Sequence, residues 1–473
     1  MDSRDEESPL IVDNSSVQTT KQNHARDVHI LSCAFLLIFL AYGAAQNLES
    51  TINTLSLMVL DMNFKSGRGS GYDFAWDIVL VFHIFLITGF CCGSETGVED
   101  CFDSWDYWLL VVHSCEFEAN MVYDGSSFCV PCFAASIIWV GQGTYLTSAA
   151  RSHARDHNLH EGTVIGKFNG EFWGIFASYQ CIGNLISLAV LEEGTDGSTS
   201  GTTLLFVVFL CIMTFGTILM FFLTKRNQNK EDGPLDPSVR AYSTVVSLLK
   251  SIGTLLSDVR MLLVIPLIAY SGLQQAFAWD EFTKDIITPA LGESGVGGAM
   301  AVYGAFDAIC SLVAGRLTSG LTSITLIVSG GALIQAIVFL WLLLIYRHEA
   351  LHCTNVSSNL KCVIIMIQLK PLTSGLLGTL KLLLMAAMLG IGDGVLNTQL
   401  SALLGILFKH DTEGAFAQLK VWQSASTAVV FFVSSYISLD AMLVAMIAAL
   451  GLSYAGFLFL TLKVERAFSS SSS

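Results

Sequence analysis

Ten stretches of this chain are apolar over the length a lipid bilayer demands. A helix crossing the hydrocarbon core needs ~20 mostly apolar residues, because lipid offers no partner to an open backbone group. The runs occupy residues 28–45, 130–145, 172–191, 203–223 and 261–279, then 296–313, 324–346, 377–397, 421–437 and 441–462. Residues 74–92 form a poorer run, interrupted by Asp77 and His83, and between 93 and 120 only 107–112 is apolar. The fold class read from this pattern is all-α, a polytopic membrane bundle of about twelve spans whose second and third members are doubtful.

Charge agrees with that reading and excludes others. Only 13% of residues are charged, about half the share of a soluble domain. With 39 acidic against 24 basic residues, no nucleic-acid partner is expected, since phosphate contact needs clustered Lys and Arg. Twelve cysteines in so long a chain do not make a small disulfide scaffold. No phosphate loop, nucleophile elbow or zinc helix occurs, so neither an enzyme nor a cofactor is expected.

The polar segment before the fifth good run holds the densest basic charge, including Lys225, Arg226, Lys230, Arg240, Lys250 and Arg260. The positive-inside rule makes it cytoplasmic. Residues 241–256 have apolar positions near helical spacing, as either an amphipathic surface helix or a plain linker would. With twelve spans, 17 of the 24 Lys and Arg fall on the side of the two termini, which places both termini in the cytoplasm.

An internal repeat organises the runs. Ala41-Tyr42 with Gln46-Asn47 recurs as Ala269-Tyr270 with Gln274-Gln275, 228 residues on. Gly141-Gln142-Gly143 recurs as Gly392-Asp393-Gly394 and Glu161-Gly162 as Glu413-Gly414, 251 and 252 residues on. Two six-span halves in parallel order follow. They predict a disordered cytoplasmic tail (1–27), an N-terminal half (28–223), a cytoplasmic linker (224–260), a C-terminal half (261–462) and a second cytoplasmic tail (463–473). The offset grows by 23 between the first and second pairs, and residues 348–370 are the natural surplus.

The sequence resembles the Unc-93-like proteins of the major facilitator superfamily, most of all their plant members. The resemblance is carried by AYGAAQNLESTIN (41–53), FAASIIWVGQGTYLT (133–147), FNGEFW (168–173), AYSGLQQAF (269–277), LGIGDGVLNTQ (389–399) and HDTEGAFAQLKVWQS (410–424). It covers the chain outside 54–132 and 348–370, which together hold eight of the 12 cysteines. One codon choice for residues 118–131, read one base later, spells a family-like lead into the fourth span. We therefore read 54–132 as wholly or partly out of frame and 348–370 as an insertion of retained non-coding sequence; real divergence is the alternative.

Polar residues inside spans are costly and face the bundle interior or a water path. Gln46, Asn47 and Glu49, their repeat partners Gln274, Gln275 and Asp280, and Gln142 are the pathway candidates. Amides can coordinate a cation or bind a polar solute; the alternative is interhelical glue of ~0.6 kcal/mol per bond. Asp307 and Asp393 are mid-span carboxyls, which suit proton or cation coupling, pair with Arg316, or cap a helix break. The resemblance makes Arg316, in Gly315-Arg316-Leu-Thr-Ser-Gly320, a gating latch between the halves. Glu171 and Glu413 are read as solvated or capping, and His153, His157 and His160 as solvated, so no metal is expected. Cys129-Val-Pro-Cys132 is not taken as a redox site.

The resemblance implies a regulator of potassium homeostasis, acting as partner of a potassium channel or another membrane protein. The alternative is a secondary transporter of a small solute or ion working by alternating access. Scarce mid-span charge favours the regulator. Either would sit among membrane lipids in the plasma membrane or an endomembrane.

Overall fold

The computed structural model describes residues 24–41, 126–193, 199–223, 253–353, 376–434 and 436–471. Ten long helices fill them. The first four are α1 (His24–Ala41), α2 (Ser126–His157), α3 (Glu161–Glu193) and α4 (Thr199–Met220). The other six are α5 (Val259–Trp279), α6 (Glu293–Leu317), α7 (Leu321–Cys353), α8 (Leu376–Leu407), α9 (Thr412–Ser434) and α10 (Leu439–Ser471). Each of the ten apolar runs falls, over all or nearly all of its described part, within one of these helices. The doubtful second and third spans, Gln46, Asn47 and Glu49 lie outside the described residues, as does the 241–256 segment except its last turn.

Six of the helices are long and apolar enough to cross a membrane. Their outward faces are hydrocarbon: Leu326, Leu333, Leu340 and Leu344 run down the exposed side of α7, and Leu452 and Phe459 down that of α10. Helices α2 and α3 are as long, at 32 and 33 residues, yet more polar. Their polar residues point inward, with Gln142, Thr147 and Asn169 buried. An apolar exterior around a largely apolar core that also buries polar groups fits a lipid surround.

Several helices overrun their apolar runs. Helix α1 already includes His24, four residues before the run expected there; His24 and Asp27 are buried at the bundle end, with His24 Nε2 3.0 Å from Asp156 Oδ2 of α2. Helix α9 begins at Thr412, nine residues before the run expected there. Asp258 caps α5, its carboxylate accepting from Arg260 N at 2.8 Å. Past Trp279, α5 continues through a π-helical turn, Phe282–Ile287, and a last turn, Thr288–Leu291. It stops at Gly292, whose φ of +76° suits a residue without Cβ.

The two halves meet most extensively where α3 crosses α6. Gly166, Gly170 and Gly174 recur every fourth residue on α3 and face Gly315, Thr318 and Leu312 of α6. A Cβ on Gly170 would come 2.6 Å from the Gly315 Cα, so only glycine permits this approach. Helix α8 also packs on α3, and α9 on α2, closing the halves around a shared interior.

Candidate functional site

The interior polar groups converge on Asp393, which is 1% exposed near the middle of α8. Three side chains from three helices donate to its carboxylate. Gln275 Nε2 of α5 and Asn397 Nδ2 of α8 reach Oδ1 at 2.9 and 2.8 Å. The Tyr303 hydroxyl of α6 reaches Oδ2 at 2.6 Å. The glycines of the LGIGDGVLN segment make this possible. Gly390 lies against the Tyr303 backbone, Gly394 against that of Asp307, and Gly392 against the Gln335 side chain of α7. Helix α8 runs unbroken through them, so Asp393 caps no helix break.

Asp307 occupies the same layer on α6 and is 4% exposed. The Ser311 hydroxyl lies 3.2 Å from its Oδ1 and 3.3 Å from the Gly394 carbonyl, and can donate to one at a time. Arg316 is two turns further along, exposed at the end of α6, and does not reach Asp307. Gln274 is fully buried, and its Nε2 reaches the Leu389 carbonyl at 3.4 Å. Gln142, the repeat counterpart of Asp393, is 2% exposed in α2, with its Nε2 unpartnered among the described residues. Asp280 sits at the far end of α5, away from this network.

Sequence reasoning missed the cation of the site. Lys420 of α9 is 8% exposed. Its Nζ donates to Gln423 Oε1 at 3.1 Å. The ammonium rests 4.2 Å from the ring centre of Trp139 on α2 and 5.4 Å from that of Trp173 on α3. Those indoles stack at 5.7 Å and 14°, and Trp173 Nε1 donates across the halves to Ser401 Oγ at 3.1 Å. Gln423 joins cation to anion: its Nε2 lies 3.3 Å from Asn397 Oδ1 and 3.4 Å from Gln275 Oε1, the two amides that hold Asp393. Among the described residues Lys420 makes no ion pair with a carboxylate. One signal is available, since Lys420, Gln423 and Asn397 all lie in the segments that carry the family resemblance, although Lys420 stands one residue outside the apolar run 421–437.

At the end bearing the α2–α3, α6–α7 and α8–α9 turns, the halves are tied by Arg151 of α2. Its Nη2 donates to the Gly405 carbonyl at 2.7 Å, and its Nη1 to the Lys409 carbonyl and Thr412 Oγ1, both at 3.2 Å. Glu161 joins it at 3.1 Å and pairs with Lys409 at 2.7 Å. Burial pushes the Glu161 carboxyl up, but Lys409 and Arg151 outweigh it and hold it below its ordinary value. The cluster borders an open cavity of about 590 Å³, so water screens it and its pairs are weak enough to release. Arg316 stands exposed at the same end and, among the described residues, makes no ion pair.

The His153 and His157 rings lie 4.2 Å apart, tilted by 31°, with His24 edge-on to His153 at 6.0 Å. Burial and the neighbouring His157, His24 and Lys167 hold the His153 ring below its ordinary value. No described group of His, Cys, Asp and Glu is arranged to hold a metal. Glu171 pairs with Lys167 at 3.8 Å, one turn along α3.

A helical bundle with an apolar exterior and a buried charged layer at its centre is a multi-pass membrane protein with a fold of the major facilitator type. The backbone superimposes on the Escherichia coli fucose:proton symporter with a TM-score of 0.58, covering 93% of this chain and 99% of that one at 11% identity. Residues 106–459 match the family described as "Ion channel regulatory protein UNC-93", and the chain belongs to that family. It is 55% identical over 454 residues to UNC93-like protein 3 of Arabidopsis thaliana, covering 94% of this chain and 89% of that protein. It is 24% identical, over 93% of its length and 61% of the other, to a Caenorhabditis elegans protein whose name provisionally assigns potassium channel regulation.

Proposed function

We propose that this chain is a carrier of a monovalent cation, potassium the first candidate, in which Asp393 binds the ion or its exchanging proton. The observation that carries this reading is the Asp393–Lys420 layer. An acid and a base are buried in one membrane-spanning interior and bridged by amides rather than joined as an ion pair. Buried charge is expensive, and a bundle stable without it has no structural need of it. A group held ready to trade partners suits a cation that enters and leaves. With Lys420 buried beside this layer, mid-span charge is less scarce than the apolar runs alone suggest, which weighs towards a carrier.

Alternating access follows from the packing. The Arg151–Glu161–Lys409 cluster closes one end, which we place in the cytoplasm together with both termini, as the basic charge distribution supports. Opening there would break Arg151 from Gly405 and part α3 from α6 about their glycines. Gln274, buried with its Oε1 unpartnered among the described residues, supplies a further oxygen ligand on the path.

A second reading is favoured by the family's description and the C. elegans relative: a non-transporting partner that regulates a potassium channel. Rubidium uptake into proteoliposomes of the purified protein separates the two. Uptake above protein-free liposomes supports the carrier. No uptake, together with an altered channel current on co-expression, supports the regulator.

A further inference from the structure

A second pair of carboxyls lies outside the central layer, at the far end of α5. Glu281 is 1% exposed, and its Oε1 has no partner among the described residues. The Asp285 carboxyl lies directly against it, with Asp280 nearby and Lys284 turned outward and exposed. The two carboxyls stand four residues apart, neighbours on one helical face, at the start of the π-helical turn Phe282–Ile287. Such turns are rare and concentrate at functional sites. Here Thr283 and Thr288 hydroxyls donate to the Trp279 and Thr283 carbonyls, both at 2.7 Å, holding the wide turn open. Neither carboxyl has an ion-pair partner among the described residues.

Two adjoining carboxyls, one without water around it, cannot both stay charged without a positive charge between them. Glu281 follows Gln275, a ligand of Asp393, by six residues, or about 9 Å along the helix axis. The pair therefore stands on the same helix as the central layer, one station further towards the opposite end from the Arg151 cluster.

We propose that Glu281 and Asp285 form a monovalent-cation site at the end of the pathway, holding a proton that an alkali ion displaces. In the exchange one carboxyl O–H bond breaks and its electron pair stays on the oxygen. The proton leaves to water and the alkali ion takes its place, so the charge of the site is unchanged. The site is distinct from Asp393 and stands whether or not the central layer carries ions.

The test uses the full-length protein purified in detergent, in weakly buffered solution near pH 7 with a pH-indicator dye. Adding potassium chloride should release about one proton per chain, and choline chloride none. Glu281→Gln and Asp285→Asn, which keep shape and hydrogen bonding, should each abolish the release, while Glu171→Gln, at a carboxyl paired with Lys167 on α3, should retain it. No potassium-specific release, or release that survives Glu281→Gln, overturns the proposal. Release lost in Asp393→Asn but kept in Glu281→Gln assigns the exchange to the central layer and overturns it equally.

Discussion

The ammonium of Lys420, on the C-terminal half, lies 4.2 Å from the ring centre of Trp139 on the N-terminal half. A desolvated cation over an indole gains about 2 kcal/mol, less than burying an unpaired ammonium costs. Lys420→Met keeps the volume and removes that cost. We expect it to leave the protein as stable or about 1–2 kcal/mol more stable in thermal unfolding, while cation uptake is lost. A variant clearly less stable than the parent would show that Lys420 is structural.

The α3–α6 crossing makes a steric prediction. A side chain at Gly170 meets Gly315 Cα at 2.6 Å and the Ser311 carbonyl at 2.8 Å, all backbone. Gly170→Val should cost about 1–3 kcal/mol, as overpacked interiors do. Gly298→Ala on the same α6 meets nothing within 4 Å and should be neutral or slightly stabilising, because alanine favours helix. Equal melting losses in both variants would contradict the close crossing.

The Glu161 cluster sets a pH window. Its carboxyl titrates lower in the folded chain than in the unfolded one, so its stabilisation is present above the ordinary carboxylate value and is lost as pH falls through the folded value. Between pH 7 and 5.5 the closed end should not respond. Spin labels at Leu159 and Ser319, on turns of opposite halves, should report one short distance over that range. Glu161→Gln should broaden and lengthen it; an unchanged distribution would remove Glu161 from the closure.

What the sequence disclosed depended on the range of the signal. The ten spans were legible because apolar runs are local, and Asp393 and Gln275 because the repeat marked them. Lys420 was not, since a hydropathy run halts at any charge even when the helix continues from Thr412 with that charge inside it. The tie from Arg151 to Gly405 joins residues 254 apart in sequence, which no local pattern encodes. The π-turn at Phe282–Ile287 leaves no periodic trace, so Glu281 passed unnoticed beside the expected Asp280.

Residues 54–132 and 348–370 carry a prediction of their own. Transcript sequencing should find single-base differences bracketing the first stretch and an unspliced segment encoding the second. A spliced, uninterrupted message encoding both as they stand would establish them as real divergence.

The proposal of a cation carrier rests on the buried acid of α8. Rubidium uptake into proteoliposomes, compared between the parent protein and Asp393→Asn at equal reconstitution, tests it most directly. Uptake by the parent and its loss in the variant are expected, with both melting as folded proteins. Uptake that is absent from the parent, or undiminished in Asp393→Asn, would contradict it.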